Sequence, residues 1–359
     1  MEQINNHADM FSLILQPAFC VENGMIVRAN QAAQQYLVEV GSPVKELFAT
    51  GFEEYSNYQS GNLCLTLTIG KNTYEASVTR IGEQDVFILE QRAKSAELHA
   101  MSLAAKELRE PLANIMAVAD RLLPNIADQE DPRTLQQIGQ LKQGIYQLLR
   151  LIGNMSDAHR YNNTTLTLKE TFDVSAVFDE LLSAAAILVS QTGRSLQFTG
   201  LNKSVYSLIN RELLERAVYN LISNGIKFSE EGSVLKAKLA RNGNRLYFSI
   251  EDNGNGIPPE LRGTMFSRYL REPGIEDGRY GIGLGMVLVR AAATTHNGTV
   301  LVEQIPSGGT RVTMSLIITQ SKDSVLGSHI LTIDYAGEHD HGLIELSESL
   351  PVSSYIDLP

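Results

Sequence analysis

Residues 220–229 read NLISNGIKFS, and they close a run whose apolar residues repeat with helical spacing. Asn220, Asn224 and Lys227 are spaced i, i+4 and i+7, so a helix places them on one face. The amide oxygen of Asn224 suits Mg²⁺, which takes oxygen ligands alongside phosphate, and Lys227 offers a point charge to the same phosphates. An ordinary surface stripe of Asn and Lys gives the same pattern, so its interpretation depends on the motifs that follow.

Two glycine-rich motifs come next. The first, DNGNGIP at 252–258, directly follows a predicted strand over 245–251. The carboxylate of Asp252 at a strand end can accept a hydrogen bond from an exocyclic amine such as that of adenine, and Gly254 and Gly256 let the backbone pass close under a flat ring. The second, GIGLGM, opens a helix, where free N–H groups favour phosphate. It supplies Gly281, Gly283, Leu284 and Gly285.

In this order and spacing, the three motifs resemble the N, G1 and G2 boxes of the GHKL ATP-binding fold, in the version carried by bacterial sensor histidine kinases. MFSRYLR at 265–271 resembles the F box of that family, which implies that Arg271 reaches the terminal phosphate. The resemblance covers 98–319 and implies ATP and Mg²⁺ as cofactors under a lid between Arg271 and Gly281. Asn220 stands where hydrolytic members place a water-activating carboxylate. Because an amide cannot act as that base, the resemblance implies a site that holds or transfers ATP.

Upstream of this region the apolar residues follow heptads. In one helix they are spaced alternately by four and three, and a second helix repeats the pattern after a break at 124–132. The first seam contains Met101, Ala105, Leu108, Leu112, Ile115, Ala119 and Leu122, and the second contains Leu141, Ile145, Leu148, Ile152 and Met155. Each seam needs a facing partner, so we expect two chains to form a four-helix bundle. The alternative is an intramolecular helix pair packed on the next domain.

The first of these helices carries KELREPL at 106–112. It resembles the phosphoacceptor helix of the same family, which reads His-Glu-Leu-Arg, then Thr or Ser, then Pro-Leu. Glu107 matches the acid/base position, but Lys106 occupies the acceptor position and Glu110 replaces the hydroxyl. Lysine stays protonated unless something buries it, so Lys106 is not expected to act as a nucleophile. His99, seven residues earlier on the same helix face, is an alternative acceptor.

The two ends of the chain differ in their residue patterns. The first ninety residues contain an Asn23-Gly24 hairpin signal and three strand-like runs over 63–69, 73–81 and 86–91, a pattern that resembles a PAS sensor domain. After residue 320 the chain reads as a separate acidic piece with a strand-like run, HILTIDY, and an amphipathic run, GLIELSESL. His339-Asp340-His341 between them is predicted to be an exposed polar turn.

We therefore predict an α/β multidomain fold. It comprises a PAS-like α+β domain at 1–91, a dimerisation helical hairpin at 92–162, a GHKL ATP-binding α/β sandwich at 163–319 and an acidic C-terminal extension at 320–359.

Composition excludes several other functions. The chain has 359 residues with 30 Lys+Arg and 41 Asp+Glu, a net charge of −11, so nucleic acid and anionic membrane surfaces are not expected partners. No segment has the roughly 18–20 continuous apolar residues that cross a bilayer. Cys20 and Cys64 cannot make a disulfide framework. With a polar N-terminus that lacks a secretory signal, this predicts a cytoplasmic protein.

The favoured interpretation is an ATP-binding signalling protein similar to two-component sensor histidine kinases, a pseudokinase that cannot autophosphorylate at the usual helix position. One alternative is an active histidine kinase that uses His99 or a histidine of a partner chain, and a second is a GHKL-type ATPase. Whether the chain is an enzyme stays open at this point. The expected partners are a second copy or another kinase in a heterodimer, a response regulator, and an unidentified small molecule bound by the PAS-like domain.

Overall fold

The chain folds into an N-terminal sheet with short helices, a pair of long helices, and a second α/β region covered by a C-terminal segment. The computed structural model describes residues 11, 14–36, 38–89, 95–127, 131–163, 168, 170–257, 284–306, 308–320, 325–326 and 340–356. None of the helices in these ranges is both long enough and apolar enough to cross a membrane.

The N-terminal region is an antiparallel sheet. Its first two strands, β1 (Ala18–Glu22) and β2 (Met25–Ala29), turn at Asn23 and Gly24, whose φ angles of 49° and 76° suit the predicted two-residue hairpin. There follow α1 (Gln31–Gln35), a 3-10 helix (Val44–Leu47), α2 (Phe52–Asn57), β3 (Asn62–Ile69), β4 (Asn72–Ile81) and β5 (Gln84–Leu89). The last three strands match the three predicted strand-like runs, and each pairs antiparallel with the next.

Two long helices come next, α3 (Ser95–Ala127) and α4 (Pro132–Asn163). Asp131 starts the second, because its Oδ2 accepts the backbone N–H of Thr134 at 3.1 Å. Five residues of the two predicted heptad seams are buried, namely Ala105, Leu112, Ala119, Ile145 and Ile152, and Met101 and Met155 are partly buried. The other five are about half exposed, namely Leu108, Ile115, Leu122, Leu141 and Leu148. One chain therefore covers only one side of its two seams.

The second α/β region contains the predicted helix over 220–229 and the predicted strand over 245–251. Its elements are β6 (Glu170–Asp173), α5 (Val174–Ser190), β7 (Ser195–Thr199), β8 (Tyr206–Ile209), α6 (Arg211–Phe228), β9 (Val234–Asn242), β10 (Arg245–Glu251), α7 (Gly285–Thr295), β11 (Val300–Gln304) and β12 (Thr310–Ile317). Helix α6 begins where Asn210 Oδ1 accepts the N–H of Leu213 at 3.0 Å. Strand β6 lies between β8 and a short β13 (Val325–Leu326) and pairs with both in a separate sheet.

The N-terminal sheet and the second sheet are continuous. Strand β3 pairs antiparallel with β11, and the combined ten-stranded sheet has the order β2-β1-β5-β4-β3-β11-β12-β10-β9-β7. Ion pairs cross the same boundary, from Glu75 to Arg290 at 2.9 Å and from Glu54 to Arg245. The regions that the sequence treats as successive domains thus share backbone hydrogen bonds.

The prediction of a separate acidic C-terminal piece is wrong for residues 340–356. Helix α8 (His341–Glu345) and a 3-10 helix (Val352–Tyr355) pack against α4, α5 and α6. The Tyr355 side chain is fully buried, and its hydroxyl donates to the Leu343 carbonyl at 2.9 Å. We call residues 340–356 the covering segment. The strand-like run HILTIDY lies outside the described residues.

The amphipathic interpretation of GLIELSESL is also wrong. Glu345 and Ser347 are as deeply buried as their apolar neighbours Ile344 and Leu346. The reason is that the segment lies among helices on several sides, so the Glu345 side chain meets Arg216 instead of water.

Candidate functional site

Helix α6 presents a row of polar side chains at its centre and its C-terminal end. Arg216, Asn220, Ser223 and Lys227 are spaced i, i+4, i+7 and i+11, which places them on one face. Asn220 is buried, its Nδ2 donates to the Arg216 carbonyl at 2.8 Å, and its Oδ1 accepts from Arg150 of α4 at 3.1 Å. The amide of Asn220 is therefore already engaged by the protein.

Asn224 lies beside this row and faces α7. Its Nδ2 lies 3.9 Å from Met286 Sδ, an interaction that leaves the amide oxygen as the atom suited to a hard cation. Lys227 forms an ion pair with Glu348 of the covering segment. Burial lowers the pKa of Lys227, and the negative charge of Glu348 opposes that shift.

The loop after β10 is tied directly to the end of α6. Asp252 Oδ1 accepts the backbone N–H groups of Gly254 at 2.9 Å and Thr310 at 3.1 Å. Burial raises the pKa of this carboxyl group, and the two N–H donors act in the opposite direction. A Cβ on Gly254 would lie 2.2 Å from the Phe228 carbonyl oxygen, so glycine is required for the loop to approach α6 this closely.

The start of α7 meets the same helix. Leu284 precedes α7 and is buried, and a Cβ on Gly285 would lie 2.8 Å from Asn220 Oδ1. Gly256, with a φ of +73°, follows in the loop that begins at Asp252. All three sequence motifs thus converge on α6. Three further predicted site residues, Arg271, Gly281 and Gly283, lie outside the described residues.

The predicted acceptor-helix residues lie on α3. Lys106, Glu107 and Glu110 are all exposed there. The backbone of His99 belongs to the same helix, whereas its side chain lies outside the described part of the structure.

His296 at the end of α7 serves the fold. Its Nε2 accepts the N–H of Asn210 at 3.0 Å, and Nδ1 lies 2.6 Å from the Ala292 carbonyl. Burial lowers the pKa of His296 to about 4, so the ring is neutral at pH 7. Both ring nitrogens are committed, and His296 is therefore not available to accept a phosphoryl group.

Residues 209–320 match the family model described as "Histidine kinase-, DNA gyrase B-, and HSP90-like ATPase". This segment is a histidine-kinase-like ATPase domain. The ATPase domain includes α6, the Asp252 loop and α7, the three parts that meet in the site.

Similar proteins include the hybrid signal transduction histidine kinase D of Dictyostelium discoideum, 28% identical over 285 residues, which are 74% of this chain and 18% of that protein. The sensor protein KdpD of Escherichia coli (strain K12) is 26% identical over 254 residues, 69% of this chain and 27% of that protein. The chain thus spans about a fifth to a quarter of these relatives' length. Among solved structures, full-length ShkA in complex with AMPPNP is 19% identical with a TM-score of 0.49, over 63% of this chain and 47% of that one.

A buried charge cluster beside the ATPase domain's motifs was not foreseen from the sequence. Arg216 is fully buried between Asp157 of α4 and Glu345 of α8, and its Nε lies 2.9 Å from Glu345 Oε1. Arg150 Nε lies 3.7 Å from the other oxygen of Glu345, and Arg150 NH1 lies 3.2 Å from Glu348. Burial raises the pKa of Glu345, but the positive charges around it outweigh burial and lower it to about 2. The sequence signal for this cluster is Arg216, which lies in line with Asn220 and Lys227 on α6.

The predicted exposed turn at His341 is wrong. The His341 ring is largely buried, 3.6 Å from carboxylate oxygens of both Glu215 and Glu345, and edge-on to the Tyr219 ring at 5.7 Å. Burial lowers the pKa of His341, but the two carboxylates outweigh burial and raise it to about 9. No cluster of His, Cys, Asp and Glu suited to a metal ion occurs among the described residues.

Proposed function

We propose that this chain is an ATP·Mg²⁺-binding signalling protein of the two-component sensor-histidine-kinase type, with a degenerate phosphoacceptor helix. The observation that carries the proposal is the convergence of the Asn220–Lys227 face, the Asp252 loop and the start of α7. Two glycine contacts make that convergence tight, Gly254 on Phe228 and Gly285 on Asn220. The match of this region to a family of ATPases supports the same ligand.

Each residue has a defined role under this proposal. The oxygen of Asn224 would hold Mg²⁺, because Met286 engages the amide nitrogen. Lys227 would bind the phosphates, as would the N–H groups at the start of α7. Asp252 would accept a hydrogen bond from the adenine amine, with Gly254 and Gly256 beneath the ring. Bound ATP would supply a phosphoryl group for transfer, and Arg271 would reach its terminal phosphate.

Titration calorimetry with ATP and Mg²⁺ tests the binding site. Asn224→Ala should weaken binding of ATP·Mg²⁺ more than binding of ATP with EDTA, because its amide oxygen acts through the metal. Asp252→Asn should weaken both equally. Asn242→Ala, at the end of β9, is a matched amide control that should leave both affinities unchanged. Equal affinity of all variants would overturn the proposed site.

The acceptor helix is proposed to be inactive because lysine takes the nucleophile's position. Transfer needs a neutral imidazole nitrogen beside a carboxylate that can take its proton. Glu107 supplies the carboxylate, but position 106 carries an exposed lysine and no imidazole.

Incubation with γ-³²P-ATP tests this point. The chain alone should bind ATP and stay unlabelled. Label that His99→Ala abolishes and that His159→Ala leaves intact would show the alternative, a relocated acceptor. Adding a second kinase or a response regulator to the same assay would test the proposed partners. Steady-state phosphate release would favour the GHKL-type ATPase instead, although the Asn220 amide cannot act as the base for water.

We also propose that the hairpin dimerises. The exposed apolar side chains repeat every seven residues on both helices, at Leu108, Ile115 and Leu122 of α3 and at Leu141 and Leu148 of α4. Such heptad rows pack against a second copy in a four-helix bundle. Ile115→Lys should convert a dimer to a monomer in light scattering, whereas Asn114→Lys, the exposed neighbour, should not. A wild-type chain that is monomeric would contradict this part.

A further inference from the structure

The face of α6 that carries Asn220 and Lys227 is covered by the chain itself. Along the row, Glu345 of the covering segment contacts Arg216, Ser349 Oγ lies 2.9 Å from Ser223 Oγ, and Glu348 contacts Lys227. The covering segment therefore follows α6 for three turns and ends its polar contacts at Lys227.

Glu348 places a carboxylate on two cations at once. It pairs with Lys227 and lies 3.2 Å from Arg150 NH1. A carboxylate and a phosphate are both anionic, and both accept hydrogen bonds from the N–H groups of a lysine ammonium. The Lys227 ammonium group that pairs with Glu348 is less available to a phosphate, so Glu348 and a nucleotide phosphate compete for Lys227.

The rest of the covering segment holds Glu348 in place. Glu345 is fully buried against Arg216, and Tyr355 packs edge-on to Tyr146 of α4 with ring centroids 5.3 Å apart. Gln143 of α4 donates to the Leu350 carbonyl at 2.9 Å. The covering segment thus bridges the long helix α4 and the ATPase-domain helix α6, and it fixes one arrangement of the two.

We infer that residues 340–356 are an autoinhibitory segment. In it, Glu348 pairs with the Lys227 ammonium group and keeps that group from binding phosphate until nucleotide or a partner displaces Glu348. The inference rests on the proposed function, because it requires Lys227 to bind phosphate. When the binding-competent state is only partly populated, apparent affinity falls by that fraction. Removing the Glu348 charge should therefore tighten binding of ATP.

The test compares full-length chains by titration calorimetry with ATP and Mg²⁺. Glu348→Gln removes the charge, keeps the shape and leaves the buried Glu345 anchor intact. Because Glu348 is partly exposed, its pair is weaker than a buried one, and we expect about two- to fivefold tighter binding. Glu230→Gln, an exposed glutamate three residues beyond Lys227, removes the same charge and should leave the affinity unchanged.

Hydrogen exchange gives an independent readout. By reciprocity, saturating ATP·Mg²⁺ should speed exchange of amides 342–350 in the wild-type chain. Equal affinity of wild type and Glu348→Gln, or unchanged exchange with nucleotide bound, would overturn the inference and leave the proposed function standing. An equal gain in Glu230→Gln would also overturn it, because general charge would then explain the effect. If neither protein binds ATP, the proposed function fails and the inference fails with it.

Discussion

Glu345→Gln is the substitution that should release the covering segment most strongly. The Glu345 side chain is 0% exposed and lies 2.9 Å from Arg216 Nε, 3.7 Å from Arg150 Nε and 3.6 Å from His341 Nε2. Glutamine keeps the volume and removes the charge, so three buried cationic groups lose their common partner. Removing one member of a buried ion pair costs about 3–5 kcal/mol.

The lower end of that range applies here. Arg216 keeps Asp157 and Asn154 as partners after the change, the latter through a 2.6 Å hydrogen bond. We therefore expect docking of the segment to weaken by about 3 kcal/mol. At 1.4 kcal/mol per factor of ten, this corresponds to a roughly hundredfold larger open population.

Native-state hydrogen exchange measures that population directly. The N–H of Leu346 bonds to the Gly342 carbonyl at 2.9 Å, and the N–H of Leu350 bonds to the Leu346 carbonyl at 3.0 Å. Both should exchange roughly hundredfold faster in Glu345→Gln, the factor that about 3 kcal/mol implies. In Glu348→Gln, which breaks a partly exposed pair, the change should stay below about fivefold. Wild-type exchange in Glu345→Gln, or equal effects of the two variants, would refute the argument that burial sets the strength of these pairs.

Three further predictions concern pH and two close glycine contacts. Burial alone would lower the pKa of His341, but Glu215 and Glu345 raise it to about 9. Protonated His341 should therefore stabilise the fold fully below roughly pH 6.5, and this contribution should be lost as the pH rises through 9. The urea midpoint of His341→Gln should lie below that of wild type at pH 6 and equal it at pH 10. Gly254→Ala should weaken ATP binding at least about tenfold in calorimetry, because its Cβ would meet the Phe228 carbonyl at 2.2 Å, whereas Gly144→Ala, with open space around it, should not. Gly61→Ala would place a Cβ 2.3 Å from the Val302 carbonyl oxygen where β3 joins β11, and should lower the free energy of unfolding by about 2 kcal/mol more than Gly41→Ala. Gly41 has a similar φ of +93° and open space, so equal losses would assign the effect to backbone strain alone.

Local signals were sufficient for the secondary structure and for the motifs. The Asn-Gly hairpin, the three strand-like runs and the helix that ends at 220–229 follow from residues within a few positions of one another. Asn220, Asn224 and Lys227 share a helix face because the period of the helix requires it. The position of Asp252 at a strand end is also a local property. Apolar and polar residues alternate in the strand before it, and the glycines after it end that alternation.

Local signals could not predict which distant strands and side chains pair with one another. Strand β11 carries no mark that selects β3 as its neighbour, because any exposed strand edge offers the same backbone groups. The covering segment illustrates the same limit more sharply. Its acidic composition predicts a separate acidic piece. The Glu345 carboxylate is buried instead because it pairs with Arg216, a residue 129 positions earlier in the chain.

The sequence by itself predicts which side chains hold a nucleotide, namely an amide, a lysine, a carboxylate and glycines, and the period of the helix determines that three of them share one face. Only the tertiary structure decided what those side chains contact. Asn220 bonds to Arg150, and Lys227 pairs with Glu348, since the energy of burying a charge depends on a partner that spacing along the chain does not specify.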